Sequence, residues 1–189
     1  RQRQMCIRDS YMDFTGIAQR FSSPVEAAYE IKARVSEKFG FTVNVGISTN
    51  KLLAKMASDF EKPDKIHTLF PQEMAEKMWH LPVRTLFFTG RAAAKKLNQL
   101  GIYTIGDLAG SDPNFLQAHL NSQGITLWNY ANGHDDSPVK ETPDAPKGYG
   151  NSMTLSKDLT SFSEARPVLL ELCETVTKRL RADHIYAQV

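Results

Sequence analysis

The spacing of apolar and polar positions changes along the chain, and each change predicts a different element. Tyr11-Met12-Asp13-Phe14-Thr15 alternates and is rich in aromatic residues, which predicts a short strand. Val25, Ala28, Ile31 and Val35 then recur at helical spacing. Ser23 offers an N-cap, Pro24 a first helical residue, Glu26 the carboxylate of a capping box, and Gly40 a stop. Phe41 to Ile47 alternates as a strand. Asn50 to Phe60 returns to the helical period and is closed by Lys62-Pro63, and Ile66 to Phe70 reads as another short strand. This alternation predicts an α/β layer over residues 11–70.

From Pro71 the pattern becomes one of short helices with glycine joints. Helices are predicted over Gln72 to Trp79, Ala92 to Gln99, Pro113 to Asn121 and Ile125 to Ala131, with a turn opened by Thr104-Ile105-Gly106-Asp107. Gly101, Gly124 and Gly133 fall where helix C-caps are expected, so residues 71–133 read as an all-helical unit. Pro138, Pro143 and Pro146 among polar residues mark 134–146 as a linker. In the third unit, 147–189, Lys147 to Leu155 predicts a strand. Val168, Leu169, Leu172, Val176 and Leu180 predict an amphipathic helix, and Ile185 to Val189 begins another strand. The fold class is α+β.

Composition narrows the function classes. An apolar share of 41% with 23% charged residues is that of a globular protein. A formal net charge of +2 carries no whole-chain signature of nucleic-acid binding, so any such role must rest on local patches. Cys6 and Cys173 have neither metal nor redox spacing, which fits a reducing compartment. No apolar run reaches the roughly 18 residues that span a bilayer, so a cytoplasmic monomer is the expectation. The first ten residues lack apolar periodicity and read as a translated sequencing adapter, outside the fold. With a stop inside a predicted strand, the chain is expected to be a piece of a longer protein. The five histidines have no mutual metal spacing. Asp135-Asp136 reads as a turn, and Trp79 and Trp128 as core residues.

Three segments carry candidate chemistry. In the first, Val45-Gly46-Ile47-Ser48-Thr49-Asn50-Lys51 ends a strand and starts a helix, whose unpaired amides suit an anion. Lys51, Lys55, Asp59 and Lys62 share one stripe of that helix, with Leu52, Leu53, Met56 and Phe60 opposite. A triphosphate or a DNA backbone fits such a lysine stripe. So does an ordinary solvated face holding a Lys-Asp pair.

Val45-Gly-Ile-Ser-Thr-Asn-Lys, with Ala54-Lys-Met-Ala-Ser-Asp and Lys62-Pro63, resembles the palm motif of Y-family translesion DNA polymerases, the polymerase IV branch especially. The resemblance implies that Lys62 contacts the triphosphate of the incoming nucleotide, while Lys51 and Lys55 of the stripe are candidate DNA-binding residues. On the same basis 11–70 is the C-terminal part of a palm and 71–133 a thumb. The second segment, Leu81 to Ile102, resembles a helix-hairpin-helix. A glycine there lets the backbone approach phosphate oxygens, and the next helix opens with free amides. Gly90, Arg91, Lys95 and Gly101 are its candidate DNA-binding residues, with Lys96 adding charge. Thr89-Gly90-Arg91 keeps one glycine where the common hairpin has two. The third segment, Lys147 to Leu155, resembles the first strand of the family's little-finger domain, which makes Lys147, Ser152 and Thr154 candidate phosphate contacts.

The family's reaction takes two magnesium ions held by carboxylates. In the resemblance an Asp-Glu pair precedes the Tyr-x-Asp segment, here Tyr11-Met12-Asp13. Aligned without gaps, Arg8 stands at the aspartate position and Asp9 at the glutamate position, and Asp13 lies outside the pair. The expectation is therefore a piece of a low-fidelity DNA-directed DNA polymerase with no intact metal or catalytic site, inactive by itself. Its expected partners are primer-template DNA, deoxynucleoside triphosphates and, through a tail beyond these residues, a sliding clamp. Two alternatives stay open: a non-catalytic helix-hairpin-helix DNA-binding module, and a small α/β enzyme acting on another phosphate substrate.

Overall fold

A computed structural model describes residues 9–140 and 148–186. The chain forms two compact units, residues 1–139 and 140–189.

In the first unit, helix α1 runs Pro24–Phe39. The Ser23 hydroxyl accepts a hydrogen bond from the Glu26 amide, and Gly40 closes the helix in the left-handed region at φ 68°. Strand β1 (Val45–Ile47), helix α2 (Lys51–Asp59) and strand β2 (Ile66–Thr68) follow. The two strands pair in parallel, Val45 opposite Ile66, Gly46 opposite His67 and Ile47 opposite Thr68, with α2 as the crossover. A Cβ on Gly46 would stand 1.9 Å from the Ala54 carbonyl oxygen and 2.5 Å from the Ser58 nitrogen. Only glycine lets this strand lie so close to α2.

Next come α3 (Met74–Lys77), α4 (Arg91–Gln99), α5 (Ile105–Ala109), α6 (Pro113–Leu120) and α7 (Ser122–Ala131). A 3₁₀ turn, Pro71–Glu73, leads into α3, and a second one, Val83–Thr85, precedes α4. The buried apolar set is continuous across this unit. Leu52, Leu53, Met56 and Ala57 of α2 join Leu69, Met78, Leu86, Leu97, Ile105, Leu108, Leu116 and Leu127 in one core. The α/β layer and the short helices are therefore bound together by the apolar face of α2. Trp128 is half-buried against this core. Trp79 is more exposed than expected, and its indole N–H donates to the Ala131 carbonyl at 3.1 Å.

Several sequence expectations are corrected. Tyr11 to Thr15 is not a strand: the Asp13 carboxylate accepts the Thr15 amide, and a 3₁₀ helix, Thr15–Arg20, begins there. Residues 41–44 are not extended into the sheet, because β2 offers a partner only from Ile66 to Thr68. Gly124 does not cap a helix. It lies inside α7, where an added Cβ would meet the Leu116 carbonyl oxygen at 2.4 Å, so its small size serves the packing of α6 on α7.

In the second unit, helix α8 runs Phe162–Ala182, with the Ser161 hydroxyl accepting from the Glu164 amide. The strand predicted over 147–155 is irregular where it is described, at 148–155, since no second strand pairs with it among the described residues. Tyr149 donates to the Asp183 carboxylate at 2.6 Å, and Arg179 donates to the Gly150 carbonyl at 3.2 Å, so side chains fasten this segment to α8. Ile185 and Tyr186 are likewise irregular, and the rest of that predicted strand lies outside the described residues. No described helix is long and apolar enough to cross a membrane.

Candidate nucleic-acid interface

Only Lys51, Lys55 and Asp59 of the predicted stripe lie on α2; the helix ends at Asp59, so Lys62 stands beyond it, and the charges of Lys55 and Lys62 are largely spent. Lys55 is the centre of a cluster in which its ammonium lies 3.0 Å from Asp9 and 3.1 Å from Asp59. Its side chain is only 14% exposed. Burial pulls the Lys55 pKa down, but hydrogen bonds to Asp9 and Asp59 and their charges outweigh it, so the net shift is upward. Burial would raise Asp59, yet bonds from Lys62 and Lys55 hold its carboxyl below the usual range. Lys62 pairs with Asp59 at 2.7 Å, while its side chain stays half-exposed and the Lys62–Pro63 peptide is cis. Lys51 makes no carboxylate pair among the described residues; its ammonium sits 5.2 Å from the centre of the Tyr11 ring and 3.4 Å from the Pro138 carbonyl. The Tyr11 hydroxyl is pushed up by burial and by the nearby Asp9 charge.

The amides opening α2, read from sequence as an anion site, are already occupied. The Asn50 side chain accepts from Leu53 N at 2.9 Å and donates to the Gly133 carbonyl at 2.8 Å. Asp135 accepts from Leu52 N at 3.1 Å. The chain supplies its own anion to this helix end, so the Asp135 carboxylate does more than shape a turn. Sequence reasoning had no signal for this contact, which joins residues 83 positions apart.

The hairpin before α4 is different. Gly90 is the N-cap residue of α4, and no side chain caps that helix. At its other end Gly101 adopts φ 82°. Phe88 stands two residues before Gly90, at the place of the absent first glycine, and takes φ 71°. A left-handed backbone at a bulky residue costs about 1–2 kcal/mol. The hairpin thus keeps its shape without the glycine, at the expense of strain at Phe88. The Phe88 ring, 59% exposed, meets Tyr130 edge-on at 6.3 Å, and Phe87 stacks on the same ring at 6.4 Å.

Arg84, Arg91, Lys95 and Lys96 are exposed, and none forms an ion pair among the described residues. A sequence feature accounts for the lack of local partners: from Leu81 to Gly106 the chain holds no Asp or Glu. Cations without local counter-charges, beside uncapped helix amides, form an electropositive surface suited to phosphate. Ser152 and Thr154, in the second unit, are exposed on the irregular segment, and Lys147 lies outside the described residues.

The donor set for a metal was tested on the same geometry. Among the described residues no group of three or more His, Cys, Asp or Glu side chains converges. Asp9 spends its carboxylate on Lys55, and Arg8 lies outside the described residues. These described residues do not fit a two-magnesium centre.

Comparison with known proteins gives a consistent picture. Residues 2–59 match the impB/mucB/samB family, and residues 146–189 match the impB/mucB/samB family C-terminal domain. The DNA polymerase IV of Clostridium acetobutylicum is 48% identical over 180 residues, covering 95% of this chain and 45% of that protein. DNA polymerase IV 2 of Bacillus subtilis is 40% identical over 187 residues, covering 96% of this chain and 45% of that protein. The chain therefore spans a little under half the length of the curated relatives it matches. Among solved structures, a Y-family DNA polymerase chimera of Dbh and Dpo4 aligns with a TM-score of 0.75 at 26% identity, over 88% of this chain and 48% of the other. A Dbh ternary complex aligns with a TM-score of 0.61 at 25% identity, over 88% of this chain and 49% of the other.

Proposed function

We propose that this chain, whose residues 2–59 match the impB/mucB/samB family and whose residues 146–189 match that family's C-terminal domain, is part of a low-fidelity, DNA-directed DNA polymerase for translesion synthesis, contributing grip on the DNA. The observation that carries this reading is the hairpin surface. Uncapped amides at Gly90–Arg91 and the unpaired Arg91, Lys95 and Lys96 face solvent together. Phosphate contacts of this kind hold a duplex in register without reading its bases, which suits an enzyme that must accept damaged templates. Lys62, half-exposed and paired with Asp59, is the residue here that we assign to the triphosphate of the incoming nucleotide. A bound triphosphate would compete with Asp59 for the same ammonium. In this reading residues 11–70 are palm, 71–133 thumb and 147–189 the start of a little finger. Magnesium, and a clamp partner bound outside these residues, belong to the proposed whole enzyme, in a compartment where DNA is accessible.

The test is duplex affinity as a function of salt, by fluorescence anisotropy on the 189-residue chain. Each phosphate contact contributes about 0.9 to the slope of log affinity against log salt. Arg91→Gln with Lys95→Gln is expected to lower that slope by about 2 and to weaken binding at every sequence tried. An unchanged slope, or no duplex affinity in the native chain at low salt, would refute the reading.

A further inference from the structure

Beyond the hairpin tip, the exposed side of α4 borders an open groove of about 890 Å³. Pro82, Val83 and Ala94 give it apolar surface, while Arg84, Arg91 and Lys95 bring unpaired positive charge. Asn98 adds an amide, and Tyr103, which follows the C-terminal turn of α4, completes the lining.

Tyr103 combines a fixed backbone with a free ring. Its carbonyl accepts from Val83 N at 2.8 Å, and its amide donates to the Asp107 carboxylate at 3.0 Å. The ring itself is 61% exposed and has no aromatic partner among the described residues. Asp107, the acid adjoining this edge, also accepts the Thr104 amide at 2.8 Å as part of a capping box, so its charge is already engaged. An exposed aromatic ring on a fixed backbone, lining one groove with cations that have no acidic partner among the described residues, has the elements of a single-strand site: phosphates on the cations and a base on the ring. A duplex keeps its bases stacked inside and cannot use the ring in this way. An acidic peptide would satisfy the cations but leave the ring and the apolar surface unused.

We propose that this groove binds a single-stranded stretch of nucleic acid, with one base stacked on Tyr103 and adjoining phosphates on Arg84, Arg91 and Lys95. The inference rests on the DNA-binding reading of the hairpin and extends it to a second, structurally distinct form of the ligand.

The experiment measures anisotropy of a labelled oligo(dT) single strand and of a labelled blunt duplex on the full chain, with thermal melts as a check on folding. Tyr103→Ala is expected to weaken single-strand binding by at least about fivefold, the loss of one base stack. Duplex affinity should change less than twofold, and Tyr103→Phe should behave as the native chain. Arg84→Gln, also in the groove lining, should weaken single-strand binding as well. Equal losses on both ligands in Tyr103→Ala, or no loss on the single strand in both Tyr103→Ala and Arg84→Gln, overturn the groove while leaving the hairpin reading intact. Displacement of oligo(dT) by a polyglutamate peptide at equal charge concentration also overturns it. Failure of the native chain to bind either DNA sinks both.

Discussion

Helices α2 and α4 both follow a turn and carry lysines along one face, yet the fold uses their charges in opposite ways. On α2, Lys55 is shielded between Asp9 and Asp59, Lys62 from beyond the helix end holds Asp59, and the first amides are taken by Asn50 and Asp135. On α4, the first turn has no side-chain cap, and Arg91, Lys95 and Lys96 have no acidic partner among the described residues. The same residue types therefore serve cohesion in one place and, among the described residues, stand without an acidic partner in the other. A lysine stripe by itself does not identify a binding face. The neutrality of its surroundings decides.

The sharpest way to break the cohesive side of this contrast is Gly46→Ala. The added methyl collides with the α2 backbone, which cannot yield as a side-chain tip would, and the expected cost is about 3 kcal/mol or more. Chemical denaturation should show the whole first unit losing stability, because α2 shares its core with the helices that follow. A cost below about 0.5 kcal/mol would mean that β1 and α2 are not so closely joined.

Removing the internal anion comes next. Asp135→Ala should cost about 1 kcal/mol, the usual worth of a helix cap, and should open the α2 amides to phosphate. A gain of inorganic phosphate binding in that variant, followed by calorimetry, would show that the native carboxylate fills an anion position. A crossed pair of lysine variants then compares the two faces directly. Lys55→Ala should lose up to about 1 kcal/mol of stability and leave duplex affinity unchanged, since its pairs are partly exposed. Lys95→Ala should do the reverse, with stability within about 0.5 kcal/mol of the native chain and weaker duplex binding.

Smaller effects should appear at Phe88 and with pH. At Phe88 the ordinary order of alanine over glycine should invert, with Phe88→Gly about 1 kcal/mol more stable than Phe88→Ala, because only glycine relieves the left-handed backbone. Melts of the two variants decide it. The α2 cluster should also leave a trace in the pH dependence of stability. Asp59 has a lowered carboxyl pKa, so its contribution is complete above the ordinary value of about 4 and is lost as pH falls through the depressed one. Lys55 has a raised pKa, so its contribution is complete below about 10.4 and is lost as pH rises through the raised value. Asp59→Asn should remove a few tenths of a kcal/mol at neutral pH and flatten the acid limb of the profile.

The sequence by itself determined the local devices. Ser23 before α1, Asn50 before α2, and Thr104 with Asp107 around α5 are legible because a cap binds amides two or three residues away. The hairpin's positive charge was equally legible, since a stretch from Leu81 to Gly106 without acids stays unneutralised locally wherever the chain goes. Tertiary structure decided the rest. Whether Tyr11 to Thr15 or residues 148–155 become strands depends on a partner strand, and alternation along one segment carries no information about that partner. Whether Lys55 meets solvent or two carboxylates depends on bringing Asp9 to α2 from 46 positions away, as the capping of Leu52 depends on Asp135. Long-range electrostatic pairing is set by the path of the chain, and that path is fixed by a core which α2 shares with helices lying far from it in sequence.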